Sequence, residues 1–132
     1  GEMARLAGCT AADVQADRLG IASRFAADHG VVLALKGHAT VVTDGAQTYT
    51  NDTGNPGMAT GGSGDVLTGL VAGLLAQGLT PFDATCLAVH LHGLAGDLAA
   101  LLAGQHSLTA VDILNAIPDA FLSAAPSTAP EE

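Results

Sequence analysis

The segment Asn55–Gly78, NPGMATGGSGDVLTGLVAGLLAQG, begins in small, flexible residues and ends in an apolar run with helical spacing. Its one acid, Asp65, directly follows Gly61-Gly62-Ser63-Gly64. Residues with little side chain let a backbone approach a ligand closely and aim successive N–H groups inward. A helix starting near Gly64 adds unpaired N–H groups and a positive dipole end. The two together form an anion cradle with a carboxylate at its lip, ionised and able to accept a proton. Transfer of phosphate to a hydroxyl requires that pairing, since negative charge must be stabilised while the attacking oxygen loses its proton. The plainer alternative is that Ser63 or Asp65 caps the helix and the glycines only turn the chain. A lone Gly-x-Gly-Asp would favour capping, but a long stretch of Gly, Ala, Thr and Ser with its single acid at the cap favours a site. No Gly-Lys-Ser/Thr follows, so the loop is not a P-loop, and no strand stands just before it as a dinucleotide fingerprint needs.

Working outward, Val31–Leu35 is an apolar run of strand length that reads as a strand buried on both faces. Lys36-Gly37 ends it. Thr40–Thr43 and Gln47–Thr50 flank Asp44-Gly45 and predict a hairpin. Before them, Thr10 with Asp13 predicts an N-cap, and Val14, Ile21, Ala22 and Phe25 continue one helix to His29-Gly30. After the loop, a helix is expected from Asp65 to Gln77, ended by Gly78. Thr80-Pro81 with Asp83 starts another, running to about Leu102 with a bend near Gly93 or Gly96. Thr109 with Asp112 starts a third, which Pro118 either kinks or divides. Residues 126–132 are expected to be a disordered tail. The strands are few for so many helices, so residues 1–125 read as the later part of a larger α/β domain.

Bulk composition narrows the function classes. The chain has 132 residues, 48% hydrophobic and 13% charged, which gives one modest domain with a buried core. With 3% aromatics and no Trp, that core is built from Ala, Leu and Val. A net charge of −9 and only four Lys or Arg leave no basic groove, which argues against nucleic acid and anionic membranes as partners. Backbone amides can still hold a phosphate. Cys9 and Cys86 lack metal-ligand spacing, and no protein-built metal site is expected. No run reads as long and apolar enough to span a bilayer, and no signal peptide is recognisable, so the expected location is the cytoplasm. His90 and His92 lie two apart on a predicted helix and cannot form an i, i+4 metal pair. They and Asp97 are expected to pack or cap.

The Asn55–Gly78 segment resembles the signature of the ADP/ATP-dependent NAD(P)H-hydrate dehydratases, members of the ribokinase-like superfamily. LALKGHATVV (33–42) before it and AVHLHGLAGDLAA (88–100) after it resemble further family segments in the same order, and GEMARL at the start resembles the end of a His-Pro-Gly-Glu substrate turn. The resemblance implies a three-layer α/β ribokinase-like fold, here only its C-terminal half. It implies repair of hydrated NADH or NADPH through phosphorylation of the ring hydroxyl from ADP or ATP, followed by loss of phosphate. Asp65 would contact the substrate and accept the proton, with Glu2 a second substrate contact. Lys36, Gly37, His38, Ala39, Thr40 and Gly64 would bind the nucleotide, and Gly62, Ser63 and Gly64 would form the anion hole. Mg2+ accompanying the nucleotide, a homo-oligomer and an epimerase domain upstream are further implications. Lys36 also stands at the carboxyl end of a predicted strand, where α/β folds place ligands, although a lysine there is commonly just solvated. Two rival readings are a kinase of the same superfamily acting on a vitamin-precursor alcohol, and a nucleotide-binding module without catalysis.

Overall fold

Thr10 opens the first long helical stretch with the capping box its sequence predicts. Its hydroxyl accepts from Asp13 N–H at 3.1 Å, and the Asp13 carboxylate accepts from Thr10 N–H at 2.9 Å. The stretch is two helices, however, not one. Asp17 leaves helical geometry at φ −141°, ψ 62°, and its carboxylate accepts from Gly20 N–H at 2.9 Å. A short acidic side chain competes here with the helical ladder and restarts it as an N-cap. In this computed structural model, residues 1–125 are described, and the expected tail at 126–132 lies outside them. The elements are α1 (Glu2–Ala7), α2 (Ala11–Ala16), α3 (Arg18–His29), β1 (Leu33–Leu35), β2 (Val41–Thr43), β3 (Thr48–Thr50), a 3-10 turn (Pro56–Met58), α4 (Ser63–Ala76), α5 (Pro81–Ala103) and α6 (Ala110–Ala124).

Two compact units divide the chain. The first contains Gly1–Asp52 and Val71–Val89. Its sheet is antiparallel in the order β1-β2-β3, with Leu35 opposite Val41 and Thr43 opposite Thr48. Met3, Ala4, Val14, Ala22, Leu35 and Val41 form its core, flanked by Ile21, Phe25 and Leu33. The hairpin closes as predicted: the Asp44 carboxylate accepts from the N–H groups of Ala46 and Gln47 at 2.8 and 2.7 Å. Those bonds hold the Asp44 carboxyl below the ordinary carboxylate range. The expectation of a β1 strand buried on both faces is not met, because only Leu35 is buried and Leu33 and Ala34 are half-buried. Antiparallel pairing explains this, since such a sheet needs only one covered face.

The second unit contains Thr53–Leu70 and the described residues from His90 onward. It holds the glycine loop, the first turns of α4, the second half of α5, and α6. Thr109 caps α6 with a second capping box through Asp112, and Pro118 lies inside that helix without ending it. Thr80 caps α5 as the sequence predicts, its hydroxyl accepting from Asp83 N–H at 3.2 Å. The helix runs unbroken through Gly93 and Gly96 to Ala103, close to the expected end at Leu102. At 23 residues with a mean hydropathy of 1.5 it is long and apolar enough, by length and composition, to cross a membrane, which corrects the expectation that no run is. Ala84, Ala88, Val89, Leu91, Ala95 and Ala99 are buried along it, as in a core helix.

Candidate functional site

Asn55 shapes the entry to the glycine loop. Its side-chain oxygen accepts from Gly57 N–H at 3.1 Å, starting the 3-10 turn with Pro56 in its first position. The chain then runs through Thr60 and two glycines into α4. Ser63 N–H donates to the Thr60 carbonyl at 3.3 Å, and the Asp65 and Val66 N–H groups both donate to the Gly62 carbonyl, at 3.0 and 3.2 Å. This closure leaves the Gly62 and Gly64 N–H groups with no backbone acceptor among the described residues. Gly62 has a φ of +87°, a conformation side-chain-bearing residues rarely adopt, and a Cβ there would meet that of Ala110 at 3.2 Å. Gly61 borders open space. Asp65 is exposed in the first turn, while Ser63 is buried. The residues expected to form the anion hole, Gly62, Ser63 and Gly64, therefore lie together at a helix N-terminus beside the expected proton acceptor. The amides offer donors to an anion, and the carboxylate stands clear of protein cover.

Ser63 is held by a residue whose role the sequence leaves unread. His92 Nε2 lies 3.0 Å from the Ser63 carbonyl and 3.3 Å from its hydroxyl. A carbonyl oxygen only accepts, so Nε2 carries the proton and donates to it. His92 and Ser63 are 29 residues apart, a pairing that no local pattern announces.

In the first unit, Lys36, Gly37, His38, Ala39 and Thr40 form one turn at the end of β1. Lys36, Gly37 and His38 are exposed, and Ala39 and Thr40 half-buried. The Thr40 hydroxyl donates to the Gly37 carbonyl at 3.1 Å, and Asn51 N–H to the Thr40 carbonyl at 2.9 Å. Gly37 has a φ of +140° and Ala39 a φ of +52°, so two left-handed residues bend the chain in quick succession. Arg18, at the start of α3, donates through Nη2 to the Leu35 carbonyl at 2.9 Å, and a Cβ on Gly37 would lie 3.1 Å from its Nη1. Sequence reasoning missed Arg18 as well. Glu2 is exposed at the first position of α1. Among the described residues no three His, Cys, Asp or Glu side chains form a metal-binding group.

Comparison with known proteins follows the same outline. The NAD(P)H-hydrate dehydratase family model matches residues 1–119. The bifunctional NAD(P)H-hydrate repair enzyme Nnr of Moorella thermoacetica is 57% identical over 120 residues, covering 89% of this chain and 22% of the relative. The ADP-dependent (S)-NAD(P)H-hydrate dehydratase of Neisseria meningitidis is 46% identical over 113 residues, 79% of this chain and 38% of that protein. The crystal structure of the Bacillus subtilis ADP/ATP-dependent NAD(P)H-hydrate dehydratase, co-crystallised with ATP and Mg2+, superposes with a TM-score of 0.88 at 33% identity. That superposition covers 93% of this chain and 45% of the crystallised one. The chain thus spans less than half the length of these relatives and corresponds to part of the ribokinase-like domain.

Proposed function

The chain belongs to the NAD(P)H-hydrate dehydratase family, and on that premise we propose that it carries the phosphate-handling half of an enzyme restoring NADH or NADPH from their hydrated forms at the expense of ADP or ATP. One observation carries the proposal: the Gly62 and Gly64 N–H groups, with no backbone acceptor among the described residues, stand at the start of α4 beside the exposed Asp65.

In this reading the transferring phosphoryl group sits against the Gly62–Gly64 backbone, where fixed dipoles stabilise the charge that develops on its oxygens. The Asp65 carboxylate accepts the proton of the ring hydroxyl as that oxygen attacks phosphorus. The bond from phosphorus to the nucleotide's leaving oxygen breaks, giving the ring phosphate ester and the shortened nucleotide. The carbon–oxygen bond of the ester then breaks, phosphate departs with that oxygen, and a neighbouring ring carbon loses a proton to restore the double bond. The Lys36–Thr40 turn and Gly64 would bind the adenine nucleotide, and Glu2 would lie on the substrate side. Mg2+ supplies charge neutralisation on the phosphates. It would bind chiefly through them, with few protein carboxylates.

The test uses the complete gene product that carries this chain. Incubated with hydrated NADH and ADP or ATP, it should restore reduced-nicotinamide absorbance only when a nucleotide is present. A folded protein that binds nucleotide but restores nothing would overturn the proposal and favour the vitamin-type kinase or the silent binding module.

A further inference from the structure

The loop that bears Asp65 is strapped to one edge of α5 at several points. The Thr53 hydroxyl donates to the His90 carbonyl at 2.8 Å. Gly54 N–H donates to one Asp97 carboxylate oxygen at 2.8 Å, and the Asn55 side-chain amide to the other at 2.9 Å. That amide also donates to the Gly96 carbonyl at 3.0 Å. Asn55 thus faces both ways, accepting from its own turn at Gly57 while donating to the helix. The edge is shaped for the contact. A Cβ on Gly93 would collide with Thr53, and one on Gly96 with the Met58 side chain. Two small positions one turn apart let the loop lie against the helix, and the carboxylate one residue beyond the second fixes its register.

Resting on the function proposed above, we propose that Asp97 is a positioning residue for phosphoryl transfer. It touches neither the Gly62–Gly64 amides nor Asp65, and acts by fixing Gly54 and Asn55, which begin the loop leading to them. A carboxylate is suited to this because it accepts from two donors at once, and both bonds are charge-assisted. An asparagine of the same size accepts through only one atom and turns an N–H toward the other donor. In-line transfer is sensitive to small displacements, so a loosened loop lowers the rate more than it lowers binding.

Two readouts on Asp97→Asn in the complete gene product test this, and they separate the positioning role from the proposed reaction. The first is amide hydrogen exchange. Peptides covering residues 53–65 should exchange about tenfold faster than in the wild type, while peptides from α3 keep their rate. The second is turnover of hydrated NADH: kcat should fall about ten- to a hundredfold with KM for the nucleotide little changed. Asn55→Ala removes one of the two Asp97 bonds from the loop side, together with those to Gly96 and Gly57, and serves if Asp97→Asn does not fold. The double variant should be no slower than the slower single one, because both break one device. Unchanged exchange at 53–65 would overturn the proposal whatever the activity. Faster exchange with unchanged kcat would overturn it too, as would additive losses in the double variant. A wild type that binds nucleotide but turns over no hydrated NADH would instead refute the proposed reaction, with the exchange result still deciding whether Asp97 orders the loop.

Discussion

The Lys36–Thr40 turn is held by Arg18, 17 residues before Leu35, and by its own left-handed backbone at Gly37 and Ala39. The Asn55–Asp65 loop is held by α5, whose anchoring groups follow their partners by 29 to 43 residues. The turn is thus a local device, built by a hairpin and one arginine. The loop is a tertiary device and keeps its shape only when α5 is folded beside it. The contrast fits the parts assigned to them. A turn that binds a nucleotide must offer polar groups, whereas a loop that handles a transferring phosphoryl group must keep its donors fixed while charge moves.

Asp65→Asn should produce the largest effect. It leaves the loop amides intact, so calorimetry should find nucleotide affinity near that of the wild type while turnover falls about a hundred- to ten-thousandfold. Equal turnover would remove Asp65 as proton acceptor and reduce the loop to a binding element. Arg18→Ala comes next. Losing the bond to Leu35 should weaken nucleotide binding about tenfold, with Arg18→Lys intermediate because a lysine lacks the planar fork. Exchange at 53–65 should not respond to Arg18→Ala. A response there would show that the two devices are coupled, and the comparison would fail. The smallest effect concerns the two capping boxes, which belong to neither device. Hydrogen bonds from Thr10 and Thr109 hold the Asp13 and Asp112 carboxyls below the ordinary carboxylate range. A depressed folded pKa stabilises above the unfolded value and ceases to do so as pH falls through the folded one. Thr109→Ala should therefore lower the thermal midpoint by roughly a few degrees at neutral pH. The difference from wild type should shrink below about pH 4. A constant difference down to pH 2 would show that the cap acts without its carboxylate.

What the sequence made legible follows the same division. The caps at Thr10, Thr80 and Thr109, the hairpin at Asp44-Gly45 and the start of α4 are decided within four residues, and all were readable. Lys36–Thr40 and Gly62–Asp65 were picked out from residue type and family resemblance together. Asp17 was not read as a break, because its bond to Gly20 competes with an otherwise continuous helical pattern. The span of α5 was readable from its cap at Thr80 and its apolar spacing, but its partners were not. Gly93 and Gly96 drew notice only as points for a bend, and the approach of Thr53 and Met58 that their small size permits went unread. His92 and Asp97 were set aside as packing or capping residues, since nothing within a few positions of either one signals its partner. Spacing alone does not encode a bond across 29 or 43 residues.

The most direct test of the central claim labels the ring hydroxyl of hydrated NADH with oxygen-18 and follows it through turnover by the complete gene product with ADP or ATP. If that oxygen attacks phosphorus while Asp65 takes its proton, the label must leave in the inorganic phosphate, one atom for each NADH restored. Unlabelled phosphate with the label in water would mean that dehydration and nucleotide hydrolysis run separately, and the Gly62–Asp65 loop would not be handling a phosphoryl transfer to substrate.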